Sequence, residues 1–598
     1  MAEEKQVEKS SEKDLKKLRK QAKDGGLKAQ FLLAVKLATG DGVEANPKEA
    51  EKWYRKAAKR DFPPAMNNLA LLYAGEALGA PNPKKAVKWF RKAADLGYAL
   101  AQWNLARHLR SGEGVTPNEE EVIEWTKKAA EQGVAPAQNN LGICCSEGRG
   151  MEANETKAVE WFHKAAEQGQ LQAQFNLAVR LRDGRGAETD LDAARDFFLK
   201  AAERGMVLAQ FVLAKMCTKG EGGEQDEQAA TEWYRKAAEQ NHTIAQYNIA
   251  LRLDEGLGAE EDQAEAMVWY KKAAEKKCVQ AQYILGRNLL ESEDETAGGA
   301  AAIHWLKQAA DTDHTEAQYL MGRIFDEGIG IDPYPAEAVK WFRKAAEGSK
   351  VEAQFALAVS LERGEGCVAN LEEAANWYTL AAAQGYASAQ LNLAGMYARG
   401  LGIMADENKA VEYFQLAAEQ AVASAQCNLG AMYEQGRGVE QNFSAAMRWY
   451  ELAADQGLCR AQYNLAVMLH AGRGVESDLK EAVIWYRQAA KQGHAAAQYT
   501  LARLFLHGEG VEANDVEAAK WFKLAATQEV PEAQLILADC YLRGRGVPED
   551  FVLAYVWFNR ASSHGLEIAE KNKRHTARYM TPDQIAQAQE ISRTHLAA

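Results

Sequence analysis

Long apolar runs are missing from this 598-residue sequence: no stretch approaches the roughly 18 consecutive apolar residues that a membrane-spanning helix needs. The leader MAEEKQVEKSSEKDLKKLRK interleaves acids and bases and lacks the apolar segment of a secretory signal, so a soluble, cytoplasmic protein is expected. Proline is scarce, 12 residues in all, which argues against long proline-rich or disordered linkers. Excess positive charge is also absent. Acidic residues outnumber basic ones, 84 to 71, so no global field draws the chain to nucleic acid or to an anionic membrane.

The 8 cysteines follow no regular spacing that would let them pair. Cys144 and Cys145 are neighbours, and Cys145 and Cys217 occupy one position two repeat units apart, which at roughly 8 to 10 Å per packed helix exceeds the ~7 Å bridging limit several times over. With Cys278, Cys367, Cys427, Cys459 and Cys540 they read as small buried hydrophobes of a reducing compartment. The 11 histidines form no His-x-x-x-His pair. No metal and no cofactor is expected.

What the chain has instead is a period. An alanine recurs at Ala29, Ala65, Ala101 and onward to Ala533 and Ala569, each 36 residues after the last, without insertion or deletion. With that alanine as position 1, position 5 is always Leu, Ile or Met, position 6 always Ala or Gly, and position 9 always apolar. These positions share one face of a 3.6-period helix, helix A. Glycines at positions 12 and 14, both present in 13 of 15 units, stop it. Asn or Asp at position 18, again in 13 of 15 units, is placed to cap a second helix, helix B.

Helix B carries aromatics at positions 25 and 26 and small residues at 29 and 30. Position 25 is Trp53, Trp89, Trp125, Trp161, Trp233, Trp269, Trp305, Trp341, Trp377, Trp449, Trp485, Trp521 and Trp557, with Phe197 and Tyr413 as the exceptions. A tryptophan stripe at helical spacing opposite paired alanines predicts core packing, each ring a knob in a hole, rather than a sugar- or base-stacking surface.

No single hairpin buries both its faces, so successive units must stack. The expected fold is all-α, a right-handed α-solenoid superhelix of about fifteen 36-residue helix-turn-helix repeats. Residues 1–24 are expected to form a charged N-terminal cap, 25–568 the solenoid and 569–598 a C-terminal capping helix. Repeat 8 replaces both stop glycines with Ser292 and Asp294, and the glycine at position 33 gives way to Asn241, Lys277, Asp313 and Ser349. A change of pitch, or a hinge, is expected near residues 290 to 300.

The segment AQYNLAVMLHAGRGVESDLKEAVIWYRQAAKQG, residues 461 to 493, resembles the Sel-one-like repeat, a branch of the tetratricopeptide superfamily, and the resemblance covers about residues 28 to 565. It implies a scaffold that brings proteins together. The quality-control members with a signal peptide and membrane anchor, and the cysteine-rich secreted members linked to penicillin binding and β-lactam hydrolysis, are poor analogies, because this sequence shows neither pattern. Soluble bacterial members remain the analogy.

Two motifs mislead. The strings GEG, GRG and GLG resemble pieces of phosphate loops, but they recur as helix stops with no strand signal before them. Ser-x-x-Lys at Ser10/Lys13 and Ser477/Lys480 has the spacing of a serine nucleophile and its lysine, yet Ser477 precedes the capping Asp478, and the companion elements of a β-lactam site are not visible.

Binding energy is expected on helix A positions 3, 7 and 11, opposite the core stripe. Four units place an aromatic at 3 and an arginine at 7: Trp103/Arg107, Tyr283/Arg287, Tyr319/Arg323 and Tyr499/Arg503. Tyr283, Arg287, Tyr319 and Arg323 belong to successive units and would grip an acidic or C-terminal peptide segment; the alternative is that the rings pack on a neighbouring helix and only the guanidinium groups reach water. The expected function is a non-enzymatic scaffold binding protein or peptide partners along a concave face. The alternatives are a penicillin-binding or β-lactamase-like hydrolase and a signal-less secreted bacterial effector.

Overall fold

The computed structural model describes residues 15–291 and 295–594. Among these residues the chain is helical throughout, with no strand. Fifteen hairpins follow one another, from helices Leu27–Thr39 and Pro47–Ala58 of repeat 1 to Pro531–Arg543 and Phe551–Ser563 of repeat 15. The chain divides into two compact units, residues 1–285 and 286–598. Within each, helix A packs on helix B of its own repeat and helix B packs on the next helix A, so the core is a continuous seam: an α-solenoid.

The local signals act as their chemistry requires. The side chain of Asp478, at the N-cap of helix Leu479–Lys491, accepts the backbone N–H groups of Lys480 and Glu481, both at 2.9 Å. Tyr334 offers no cap, and there Pro335 opens the helix instead.

The two stop glycines serve different ends. Gly544 ends helix A in the left-handed region at φ 61°, its N–H returning to the Cys540 carbonyl. Gly546 also has positive φ, and a Cβ on it would strike the Asp515 carbonyl at the start of the previous helix B. The first is a turn residue; the second lets two repeats touch.

The hole formed by small residues is filled from position 26. Phe90, Phe162, Phe198, Tyr378, Phe522 and Phe558 are each wholly buried. Where position 6 is glycine, as at Gly142 and Gly430, a Cβ would collide with the Phe162 or Tyr450 ring. The tryptophans at position 25 sit one step outward. Trp53, Trp125, Trp269, Trp341, Trp521 and Trp557 are buried, and Trp89, Trp161, Trp233, Trp305, Trp377, Trp449 and Trp485 are half-buried. In most of the first nine repeats their outer faces are roofed by lysine at position 28, with the Lys272 ammonium 3.8 Å from the Trp269 ring centroid and Lys56 4.3 Å from Trp53. Some of their indole N–H groups donate to a carboxylate one turn back, Trp125 to Glu121 at 3.2 Å and Trp269 to Glu265 at 3.0 Å.

A glutamine follows the repeat alanine in 14 of 15 repeats and is buried in each of them. Gln426 is representative: its Nε2 donates to the Ala418 carbonyl of the preceding helix B at 3.1 Å, and its Oε1 accepts from Gln456 at 2.8 Å. One side chain thereby ties three helices.

The pitch change or hinge expected near residues 290 to 300 falls largely on residues 292–298; the backbone of 292–294 and the side chains of 292–298 lie outside the described residues. The missing position-33 glycines do not alter the turns, because Asn241, Lys277, Asp313 and Ser349 take the same left-handed conformation at φ 60° to 69°. Residues 15–23 form a helix whose Ala22 is buried and accepts a hydrogen bond from Gln30. After repeat 15 come two helices, Glu567–Thr576 and Pro582–Thr594, the latter packed on Phe551–Ser563. All eight cysteines are free thiols, and burial pushes Cys540 up to about 11.

Candidate functional site

Helix A turns positions 5, 6 and 9 into the seam, which leaves positions 4, 7 and 11 on its outer face. Positions 4 and 11 of neighbouring repeats then line up, and grooves open between them. In the first unit such a groove of about 510 Å³ runs over repeats 2 to 4 and is lined by Leu71, Trp103, Asn104, Arg107, Arg110 and Asn140. His108 beside it lies 3.4 Å from Glu113 and is held below the ordinary imidazole range by burial.

In the second unit a groove of about 590 Å³ crosses the A helices of repeats 10 to 13. Its floor is low at Gly395, position 7 of repeat 11, where every repeat except 11 and 12 carries Arg, Lys, Asp or a larger apolar side chain. Arg363, Arg399 and Arg460 line it together with Asn392 and Asn428. Arg399 donates from Nε to the Gly395 carbonyl at 3.1 Å, and Arg460 donates to Cys427 Sγ at 3.3 Å and to the Asn428 side chain. Neither has a carboxylate partner among the described ion pairs, and Arg363 has only an exposed Glu365 at 3.6 Å. The one lining carboxylate, Glu362, accepts the Tyr378 hydroxyl at 2.7 Å. Three guanidinium groups against one carboxylate make this groove positive in a chain of net charge −13. Such a groove attracts carboxylates, and its asparagines offer donors and acceptors to an extended backbone.

The predicted aromatic/arginine pairs divide. Trp103 and Arg107 line the first groove, with the ring half-buried and the guanidinium exposed. Tyr283 is half-buried in the first unit, whereas Arg287, hydrogen-bonded to Asn288 at 3.3 Å, belongs to the second. Tyr319 packs at 6.0 Å on Phe342, and Arg323 is spent on Glu327 through contacts of 2.8 and 3.0 Å. Tyr499 packs at 6.1 Å on Phe522 with the Arg503 guanidinium 5.9 Å from its ring. Position-3 rings thus belong in part to the seam. The basic groove went unpredicted, since its signal is one glycine at position 7 beside arginines at position 11, Arg363 and Arg399, and one, Arg460, just before the repeat alanine.

Ser477 Oγ donates to the His470 carbonyl at 2.9 Å in the turn before helix B, while Ser10/Lys13 lies outside the described residues. Among the described residues no group of three His, Cys, Asp or Glu side chains is placed to hold a metal ion, and no helix is long and apolar enough to cross a membrane.

The Sel1 repeat profile matches fifteen consecutive segments, from residues 27–62 to 531–566, omitting only residue 350 between them. Among solved structures the chain is similar to a protective antigen of uropathogenic Escherichia coli that displays an SLR fold, at 30% identity over 79% of this chain and 94% of that one, with a TM-score of 0.48. It is also similar to a Sel1 repeat protein from Oxalobacter formigenes, at 31% identity over 52% of this chain and 92% of that one, with a TM-score of 0.45. No curated protein sequence matches it. Sel1 repeat proteins generally mediate protein–protein interaction and are typically non-enzymatic scaffolds. With fifteen matched repeats in unbroken phase, the chain belongs to the Sel1 repeat family.

Proposed function

We propose that the chain is a non-enzymatic, cytoplasmic scaffold that holds an acidic, extended segment of a partner protein against the A helices of repeats 10 to 13. The observation that carries this reading is the pair Arg399 and Arg460, two guanidinium groups in one groove without carboxylate partners among the described ion pairs. Desolvated arginine–carboxylate contacts are among the stronger polar interactions at interfaces. Trp103 and Arg107 offer a second, weaker foothold in the first unit. The helix at residues 15–23 and the two helices after repeat 15 serve as end caps, keeping the terminal seam from water. Unpaired cysteines, five of them buried, suit a reducing compartment.

The full chain, immobilised and exposed to extract of its native cell, should retain a stoichiometric protein that an aspartate-rich peptide displaces and a neutral peptide does not. Arg399→Glu with Arg460→Glu should weaken retention by about tenfold or more. Retention unchanged by this double reversal overturns the assignment of the groove, and turnover of a chromogenic β-lactam by the purified chain overturns the non-enzymatic reading.

A further inference from the structure

The B helices carry a feature that partner binding on the A helices does not use. Position 28, whose lysine roofs the position-25 ring, is Lys in eight of the first nine repeats. In repeats 10 to 14 it becomes Leu380, Leu416, Leu452, Gln488 and Leu524. The four leucines are 49%, 39%, 41% and 41% exposed, and in repeat 13, where the leucine is missing, Ile484 one turn earlier is 55% exposed. A charged roof has been exchanged for an apolar ridge that runs from helix to helix along one unit. Contiguous exposed apolar surface of this kind marks an interaction site.

The charges beside the ridge identify its occupant. At positions 24, 27 and 31, repeats 11 and 12 place Glu412, Glu419, Glu451 and Asp455 against a single base, Arg448. The same positions in repeats 13 and 14 hold Arg487, Lys491, Lys520 and Lys523 and no acid. All nine of these charged residues are exposed. Only Lys520 is in an ion pair among those described, with Glu517 at 3.6 Å. An apolar ridge with one acidic and one basic half is complementary to itself when inverted.

We propose that the B-helix face of repeats 11 to 14 is a self-association surface on which a second copy of this chain docks antiparallel, about a two-fold axis between repeats 12 and 13. Inversion about that axis sets Glu451 and Asp455 of each copy opposite Arg487 and Lys491 of the other, and Glu412 and Glu419 opposite Lys520 and Lys523. It also brings Leu416 against Leu524 and Leu452 against Ile484. Such an isologous contact closes at two copies. Four helices about 20 Å long at a spacing of about 9 Å offer roughly 700 Å² per copy, close to the ~800 Å² per partner of a standard stable interface. The proposal does not depend on the A-helix groove, which lies on the other helices of the same repeats.

Sedimentation of the full chain over a hundredfold concentration range tests it, the species rising from 65.8 kDa to twice that mass. Leu416→Lys with Leu452→Lys restores the residue that most of the first nine repeats carry, so folding is retained, and the dimer should be lost. Glu451→Lys with Asp455→Lys, and separately Arg487→Glu with Lys491→Glu, should each give monomers. An equimolar mixture of these two charge-reversed chains should form the dimer again, since every opposed pair is then matched. A wild-type chain that stays monomeric throughout, a dimer indifferent to the leucine substitutions, or a mixture that fails to reassociate each overturns the proposal.

Discussion

Adjacent aromatics on helix B have unequal duties. Phe162 is wholly buried, its ring over Gly142, whereas Trp161 is half-buried with the Lys164 ammonium 4.4 Å from its ring centroid. Removing Phe162 leaves a cavity the seam cannot close, and Phe162→Ala should cost about 3 to 5 kcal/mol. Trp161→Ala should cost clearly less, since part of its ring is already wet and Lys164 can settle onto the exposed surface. Hydrogen exchange in repeat 4 reads both as local opening free energies, and an equal or larger loss for Trp161→Ala would contradict the assignment. The number of tryptophans at position 25 draws attention there, but frequency is no measure of depth: a large ring with a polar N–H suits the edge of a core, where Glu121 or Glu265 accepts its hydrogen bond. The buried glutamines were illegible for the opposite reason. A polar residue on an apolar helical face reads as noise until the Ala418 carbonyl is seen to need a donor from Gln426.

The helices and their caps could be read directly, because alanine, leucine, asparagine and glycine recur in phase and each acts within its own turn. What acts between repeats could not. Gly546 reads as a second helix stop, and only the approach of the Asp515 carbonyl explains why no Cβ fits. The basic groove depends on a side chain that is absent, at Gly395, beside Arg399 of the same helix and Arg363 and Arg460 contributed by other helices. The inter-repeat turns yield a sharper statement. Ala421 adopts the left-handed conformation at φ 61° that glycine provides in sister repeats, and nothing else about its side chain compensates. Ala421→Gly should therefore stabilise the chain by about 1 kcal/mol, seen as a higher urea midpoint. A lower midpoint would mean that lost chain entropy outweighs the relief of strain.

Both units carry an acid-sensitive joint of one kind. His242, His314 and His494 precede the A helices of repeats 7, 9 and 14, and each accepts through Nδ1 the backbone N–H three residues on, at 3.1, 3.2 and 3.3 Å. An Nδ1 that accepts cannot be protonated, and burial holds all three imidazoles below their ordinary range. Lys276 adds to this at His242, while Glu316 opposes it at His314. The unfolded chain therefore takes up these protons first. The stability they contribute is complete above the unfolded imidazole value of about 6.5 and is lost as pH falls towards their lower folded values. The Tm should be level above about pH 7 and fall as pH drops below about 6.5, and replacing all three with Asn, which also caps a helix, should flatten that fall. An unaltered slope in the triple variant would assign the acid sensitivity to other groups.

The close seat of Gly546 on Asp515 and the glutamine clasp recur in the same form at one junction after another. Any two neighbours within a unit therefore meet through nearly interchangeable surfaces. Excising one full period brings together faces that already match, whereas excising half a period sets an A helix where a B helix belongs. The length of this protein is adjustable only in whole steps, and each step adds or removes one A helix and one B helix from the seam.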